Sequence, residues 1–191
     1  MELEPTASGW LDTVLRDFDS FLKDHASCEK KASGMALNIA SHYPDKPELL
    51  NAMADLAVEE LTHYREVVRM LTERGLTPGP DTKDPYVRRM NALIRRGTEH
   101  FLLDRLLIAA VVECRGFERF SLIASALPAG PDKRFYQAIS ASEERHWQLF
   151  LALASSHCAG RAKAGIASRL AELVGAETEI VKSLPLRSAL H

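Results

Sequence analysis

A chain of 191 residues is long enough for one domain with a substantial core, and nothing in it calls for a second. Its 46% hydrophobic, 26% charged and 7% aromatic content favours helix over sheet. A formal net charge of −2 excludes a uniformly basic, nucleic-acid-coating surface, so any such surface must be local.

Breakers divide the chain into stretches with a 3.6-residue apolar period, and helices are predicted at about 9–21, 24–42, 47–74, 85–96, 98–127, 132–157 and 163–182. Asp45, three residues before Glu48, resembles a capping box for the third of these, with Pro47 tolerated in its first turn. Gly75, just after Glu73 and Arg74, is a good stop for the same helix. Short turns join 24–42 to 47–74 and 98–127 to 132–157, so each pair is expected to form an antiparallel hairpin. The connection between the pairs is long enough to cross a bundle. The expectation is a single all-α domain over 1–191, a four-helix bundle with a long crossover and extra flanking helices.

Two Glu-x-x-His pairs stand out, Glu60-Leu61-Thr62-His63 and Glu143-Glu144-Arg145-His146. Each follows a single glutamate, Glu29 or Glu113, placed about thirty residues upstream. Four carboxylates and two imidazoles in this order are the ligand set of a di-iron or di-manganese site in a four-helix bundle. All six fall on core-facing stripes. The stripes are Leu22, Ala26, Glu29, Ala32, Ala36, Ala40; Leu49, Met53, Leu56, Glu60, His63, Val67, Leu71; Leu102, Leu106, Ala109, Glu113, Gly116, Phe120, Ala124; and Tyr136, Ile139, Glu143, His146, Phe150, Ala154.

Burying an isolated carboxylate costs several kcal/mol, so such a group is paired, protonated or metal-bound. Four converging carboxylates need positive charge, which two metal ions supply. Small residues beside Glu29 and Glu113 (Ala26, Ala32, Ser33, Ala109, Ala110, Gly116) leave room for ions and oxygen. One Glu-x-x-His alone is a common solvated helix pair; two in matching register with upstream glutamates are not. Glu59 and Glu144 compete for the ligand roles but fail the i, i+3 partnership with a histidine, and Glu118 points away from the Glu113 stripe.

His25, one turn before Glu29, is expected to be a partly exposed helix residue, with a place beside the ligands as the alternative. His42, His100, His157 and His191 are expected at the surface or at caps. Cys28 and Cys114 flank ligand glutamates and read as small core residues. With Cys158 they make an odd set lacking CxxC or zinc-type spacing, which argues against a disulfide framework and suits a reducing cytoplasm. The acidic start does not read as a secretory signal, and the apolar stretch from Leu106 to Cys114 is far short of a membrane span.

The ligand pattern resembles the ferritin-like di-iron proteins. That resemblance implies that Glu60 and Glu143 bridge the metals, that Glu29 and His63 complete one site, and that Glu113 and His146 complete the other. The segments His25-Ala-Ser-Cys-Glu-Lys-Lys-Ala32, Val58-Glu-Glu-Leu-Thr-His63, Glu113-Cys-Arg-Gly-Phe-Glu-Arg-Phe120 and Glu143-Glu-Arg-His-Trp147 are similar to the tRNA-(2-methylthio-isopentenyladenosine) hydroxylase family, MiaE. The similarity covers nearly the whole bundle and is most specific in the Glu-x-Arg-x-x-Glu-Arg-Phe run. It implies a monooxygenase using two iron ions, O2 and an electron donor to hydroxylate the isopentenyl side chain of a modified adenosine beside the tRNA anticodon. Iron over manganese comes from this resemblance, since the ligands suit both.

Local charge gives a separate expectation for tRNA. Lys83, Arg88, Arg89, Arg95 and Arg96 crowd the crossover, with Arg115, Arg119, Lys133 and Arg134 further along, and a basic rim suits a phosphate-flanked prenyl group. Arg161, Lys163 and Arg169 either extend that surface or solvate the last helix. The rival expectations are a ferroxidase or peroxide-handling protein with the same ligands and no organic substrate, and a metal-free helical module. The absence of a CxxC rubredoxin module weakens a rubrerythrin-like peroxidase.

Overall fold

The computed structural model describes residues 1–157 and 165–191, with the side chain of Glu99 left aside. Seven helices are present among the described residues: α1 (Ser8–Arg16), α2 (Phe18–His42), α3 (Pro47–Glu73), α4 (Pro85–Asn91), α5 (Thr98–Ala126), α6 (Pro131–His157) and α7 (Ile166–Ser183). Of the last helix expected from the sequence, the first two positions, 163 and 164, fall outside the described residues, as do Cys158, Arg161 and Lys163. No described helix is long and apolar enough to cross a membrane. The chain divides into two compact units, one of residues 9–82 and 186–190, the other of residues 1–8, 83–185 and 191.

The first unit is built on the α2–α3 hairpin. The first helical break falls earlier than expected, at Asp17, because its carboxylate caps α2 by accepting the Ser20 N–H at 3.2 Å. Trp10 and Val14, one turn apart on α1, are buried, and the Trp10 indole N–H donates to the Ala189 carbonyl at 3.0 Å. The capping box at Asp45 does not form. Lys46 is the N-cap, without a side-chain hydrogen bond, and Pro47 begins the helix, where no amide hydrogen is needed.

At its other end α3 closes as expected on Gly75, whose φ of +70° suits a residue without a side chain. Gly75 N–H bonds to the Thr72 carbonyl and Leu76 N–H to that of Leu71, a Schellman stop that satisfies two end carbonyls. The apolar stripe of α3 is buried as patterned, with His63 part-exposed. On α2, Ala32 is part-exposed, and Phe21, His25, Ser33 and Ile39 are buried in addition to the expected residues.

The second unit is built on the α5–α6 hairpin, with α4 and α7 against it. Asp84 caps α4 by accepting the Tyr86 and Val87 amides at 2.8 and 3.3 Å. The expected helix over 85–96 stops at Asn91, for a polar reason. Buried Asp104 takes the Arg95 backbone amide at 2.8 Å and both arms of its guanidinium, while Arg169 takes the Leu93 carbonyl at 2.6 Å. Backbone groups committed in this way cannot continue a helical ladder. The stripes of α5 and α6 are buried throughout, including all three expected ligands of this unit.

Candidate metal centre

Each unit carries one carboxylate–carboxylate–imidazole set, buried throughout except for the part-exposed His63. In the α2–α3 unit the set is Glu29, Glu60 and His63, which offer ligand atoms lying within 4.8 Å of one another. The His63 Nδ1 atom stands 3.4 Å from Glu29 Oε2 and 3.4 Å from Glu60 Oε2. Two atoms bonded at about 2.1 Å to one ion, at angles from square to tetrahedral, stand about 3.0–3.4 Å apart, so these separations suit the edges of a coordination shell. They are long for hydrogen bonds. Glu29 Oε2 is buried, and no hydrogen bond of normal geometry reaches it from a described residue. Glu59 stands 4.0 Å from the other ring nitrogen of His63 and is part-exposed, off the side that Glu29 and Glu60 share.

The electrostatics of this set favour cation binding. Burial pushes the Glu29 carboxyl up, but hydrogen bonding and charge from His25, with further help from His63 and Glu60, hold it well below the usual carboxylate range. Burial disfavours a charged His63, yet Glu29 and Glu60 raise its pKa to about 9. A proton on His63 thus supplies the positive charge that the two carboxylates demand, in the place where a metal ion would supply more.

In the α5–α6 unit, Glu113, Glu143 and His146 are all buried, and their ligand atoms also lie within 4.8 Å of one another. His146 Nδ1 is 3.8 Å from Glu143 Oε1. Gly116 borders Glu143: a methyl group in its place would lie 3.5 Å from Glu143 Oε2. Hard carboxylate oxygens with an imidazole suit iron or manganese in both sets, so the residues fit the implied metals.

The family model described as tRNA-(MS[2]IO[6]A)-hydroxylase (MiaE) matches residues 2–191. The chain belongs to this family. A Pseudomonas putida protein named tRNA 2-(methylsulfanyl)-N(6)-isopentenyladenosine(37) hydroxylase is 36% identical over 94% of this chain and 85% of its own length. A Salmonella typhimurium protein of the same name is 33% identical over 56% of this chain and 39% of its own. Among solved structures, a Synechococcus protein described as having aldehyde deformylating oxygenase activity superposes with a TM-score of 0.90 at 31% identity, covering 98% of this chain and 93% of that one. The ferritin-like, all-α class expected from the sequence is the class of this MiaE-family chain.

The basic residues expected on a tRNA-facing rim do not share one fate in the MiaE-family fold. Arg88, Arg89, Arg96 and Arg134 are exposed. Arg95 is part-exposed, its guanidinium held by Asp104 at 2.7 Å, and Lys133 caps α5 by donating to the Leu127 carbonyl at 3.1 Å. Arg115 and Arg119 are buried, which takes them off any RNA-facing surface. Arg115 reaches Glu177, Glu118, Thr6 and the Glu4 carbonyl, and Arg119 reaches Thr6. Spacing alone could not reveal this, because the carboxylate that draws Arg115 inward is more than sixty residues away on α7.

Two histidines also differ from expectation. His191 is not a surface residue: its ring stacks on Tyr86 at 4.6 Å between centroids and Nδ1 is 3.0 Å from Asp84 Oδ2. His25 is fully buried, with Nε2 2.7 Å from Glu29 Oε1. Its position one turn from Glu29 was the signal for that contact, and the i, i+4 spacing on a helix makes it direct.

Proposed function

We propose that this protein is an oxygen-dependent hydroxylase of the isopentenyl side chain of a modified adenosine in tRNA, beside the anticodon. The observation that carries this is the pair of carboxylate–carboxylate–imidazole sets with buried carboxylates, one in each hairpin of a MiaE-family chain. We propose further that residues 1–191 act as one ferritin-like domain in which Glu29, Glu60, His63, Glu113, Glu143 and His146 hold two iron ions.

Bound iron would supply activation of O2, with one oxygen atom entering a C–H bond of the prenyl group and the other leaving as water, two electrons and two protons coming from a donor and solvent. The chain's own residues set the conditions for that chemistry. Buried Glu29, Glu60, Glu113 and Glu143 would provide the hard anionic donors that suit oxidised iron. His63 and His146 would provide the neutral nitrogens, and His63 would release its proton to a bound ion. The apolar stripes around them, including Phe120, Phe150, Leu56 and Val67, keep bulk water away from the ligands.

For the tRNA, the exposed Arg88, Arg89, Arg96 and Arg134, with Arg95 and Lys133 beside them in sequence, are the proposed phosphate contacts. RNA-modifying enzymes reach a base by splaying it from its loop, which leaves phosphates flanking the pocket mouth. The working compartment is the cytoplasm, and the electron donor is a separate reductant.

The test is a reconstituted turnover. Iron-loaded protein, a chemical reductant and O2 are incubated with tRNA carrying the prenylated adenosine, and the nucleosides are read by mass spectrometry beside a Glu60→Ala control. A gain of one oxygen atom with the intact protein alone is the expected result. No gain, despite about two irons bound per chain, would overturn the tRNA reading and move the function to iron or peroxide handling.

A further inference from the structure

His25 is a buried imidazole with no assigned part in the metal-binding set. It lies on α2 one turn before Glu29, with Nε2 2.7 Å from Glu29 Oε1. Its ring is seated by aromatic neighbours. Phe21 is 5.7 Å away, centroid to centroid, and Trp10 stands edge-on to Phe21 at 6.4 Å. Phe21, His25 and Glu29 follow one another at i, i+4, i+8 along one helical face, and Trp10 is pinned by its bond to the Ala189 carbonyl. A buried histidine is held in one orientation by such packing.

The contact divides the Glu29 carboxylate into two unequal oxygens. Oε1 stands 2.7 Å from His25 Nε2, while Oε2 stands 3.4 Å from His63 Nδ1, on the side shared with Glu60. A carboxylate with both oxygens free can grip an ion with two bonds or swing between modes. One oxygen held at 2.7 Å by a fixed donor leaves a single oxygen for the ion.

We propose that His25 is the positioning residue of the Glu29 carboxylate, donating its Nε2–H to Oε1 so that Glu29 meets the metal through Oε2 alone. The inference rests on the metal reading of the preceding section and deepens it. Outer hydrogen-bond partners of metal ligands typically tune affinity about ten- to a hundred-fold, which sets the expected size.

The test compares His25→Asn with His25→Gln. The Gln amide nitrogen reaches the position of Nε2, whereas that of Asn falls short near Nδ1. Full-length proteins are titrated anaerobically with Co2+, whose visible absorption reports coordination number, and folding is checked by circular dichroism. His25→Asn should bind one of the two ions about ten- to a hundred-fold more weakly, with a changed spectrum, and His25→Gln should return both toward wild type. Equal affinity and identical spectra in all three proteins would overturn the proposal, as would equal losses in Asn and Gln with an unchanged spectrum.

A second measurement needs no variant. In the wild type, the His25 Nε2–H proton should be protected from exchange and should shift when Zn2+ is added; a resonance that does not respond to metal overturns the proposal. A wild-type chain that binds two Co2+ with the expected variant pattern, yet adds no oxygen to prenylated tRNA, keeps His25 in its role and removes the tRNA reading. A wild-type chain that binds no metal removes both.

Discussion

Arg115 and Glu177 form a two-point ion pair with neither side chain exposed: Nε to Oε1 is 2.8 Å and Nη2 to Oε2 is 3.0 Å. The Tyr86 hydroxyl also donates to Glu177, at 3.2 Å, so the pair joins α4, α5 and α7. Removing one partner leaves the other charge buried. Glu177→Ala should therefore cost about 3–5 kcal/mol, read as a lowered midpoint in urea unfolding. The double replacement Arg115→Met with Glu177→Leu should recover part of that loss, because it removes the buried pair together while Glu118 and the Tyr86 hydroxyl each lose a partner. A single-variant loss below about 1 kcal/mol would show that the pair is solvated in solution.

Gly116 is the narrow point beside the Glu143 carboxylate. Gly116→Ala places a methyl group 3.5 Å from Glu143 Oε2, an ordinary contact, and replaces a poor helix former within α5. It should leave the metal-free protein as stable or raise it by up to about 1 kcal/mol. Gly116→Leu has no such room and should displace the carboxylate. Iron content measured after identical loading should stay near wild type for Ala and fall for Leu. Normal iron binding in the Leu variant would separate Glu143 from the metal.

The burial of the candidate carboxylates was legible because four glutamates sat inside apolar stripes, and periodicity alone says where a stripe faces. Burial of Glu29, Glu60, Glu113 and Glu143 follows that pattern residue by residue. Polar commitments between distant parts of the chain were not legible. Arg95 and Arg169 converge on Asp104, which ends α4 early, and Arg115 turns inward to Glu177 instead of outward to solvent. In each case the decisive partner lies in another element, and helical spacing carries no information about it. His25 was a closer miss: the i, i+4 contact with Glu29 was in reach, but its depth depended on Phe21 and Trp10 closing over it.

Asp84 gives the protein an acid-sensitive joint. Burial works against its charge, but His191 and the Tyr86 and Val87 amides hold its pKa at about 2, below the ordinary aspartate range. A folded-state pKa below the unfolded one contributes stability that is fully present above the unfolded value. That contribution fades as pH falls from about 5 through 2. A shift of this size is worth about 2–3 kcal/mol. Asp84→Asn keeps a capping side chain but loses the charge, so it should be less stable than wild type at pH 7 and nearly level with it at pH 2. Parallel stability curves for the two proteins across that range would remove Asp84 as the source.

Glu60 separates the cost of a buried carboxylate from its use. It is buried beside Glu29 and His63, where two glutamates crowd one imidazole. Glu60→Gln keeps the shape and removes one charge, so the metal-free variant should melt at or above the wild-type temperature. Stoichiometric iron binding should be lost with that charge. Ligand that binds only the folded state stabilises it by about 2.7 kcal/mol at a hundred times its dissociation constant. Wild type should therefore gain thermal stability on iron loading, and the variant should gain little. Equal gains in both proteins, with equal iron content, would take Glu60 out of the ligand set and leave the i, i+3 pairing with His63 as a feature of packing alone.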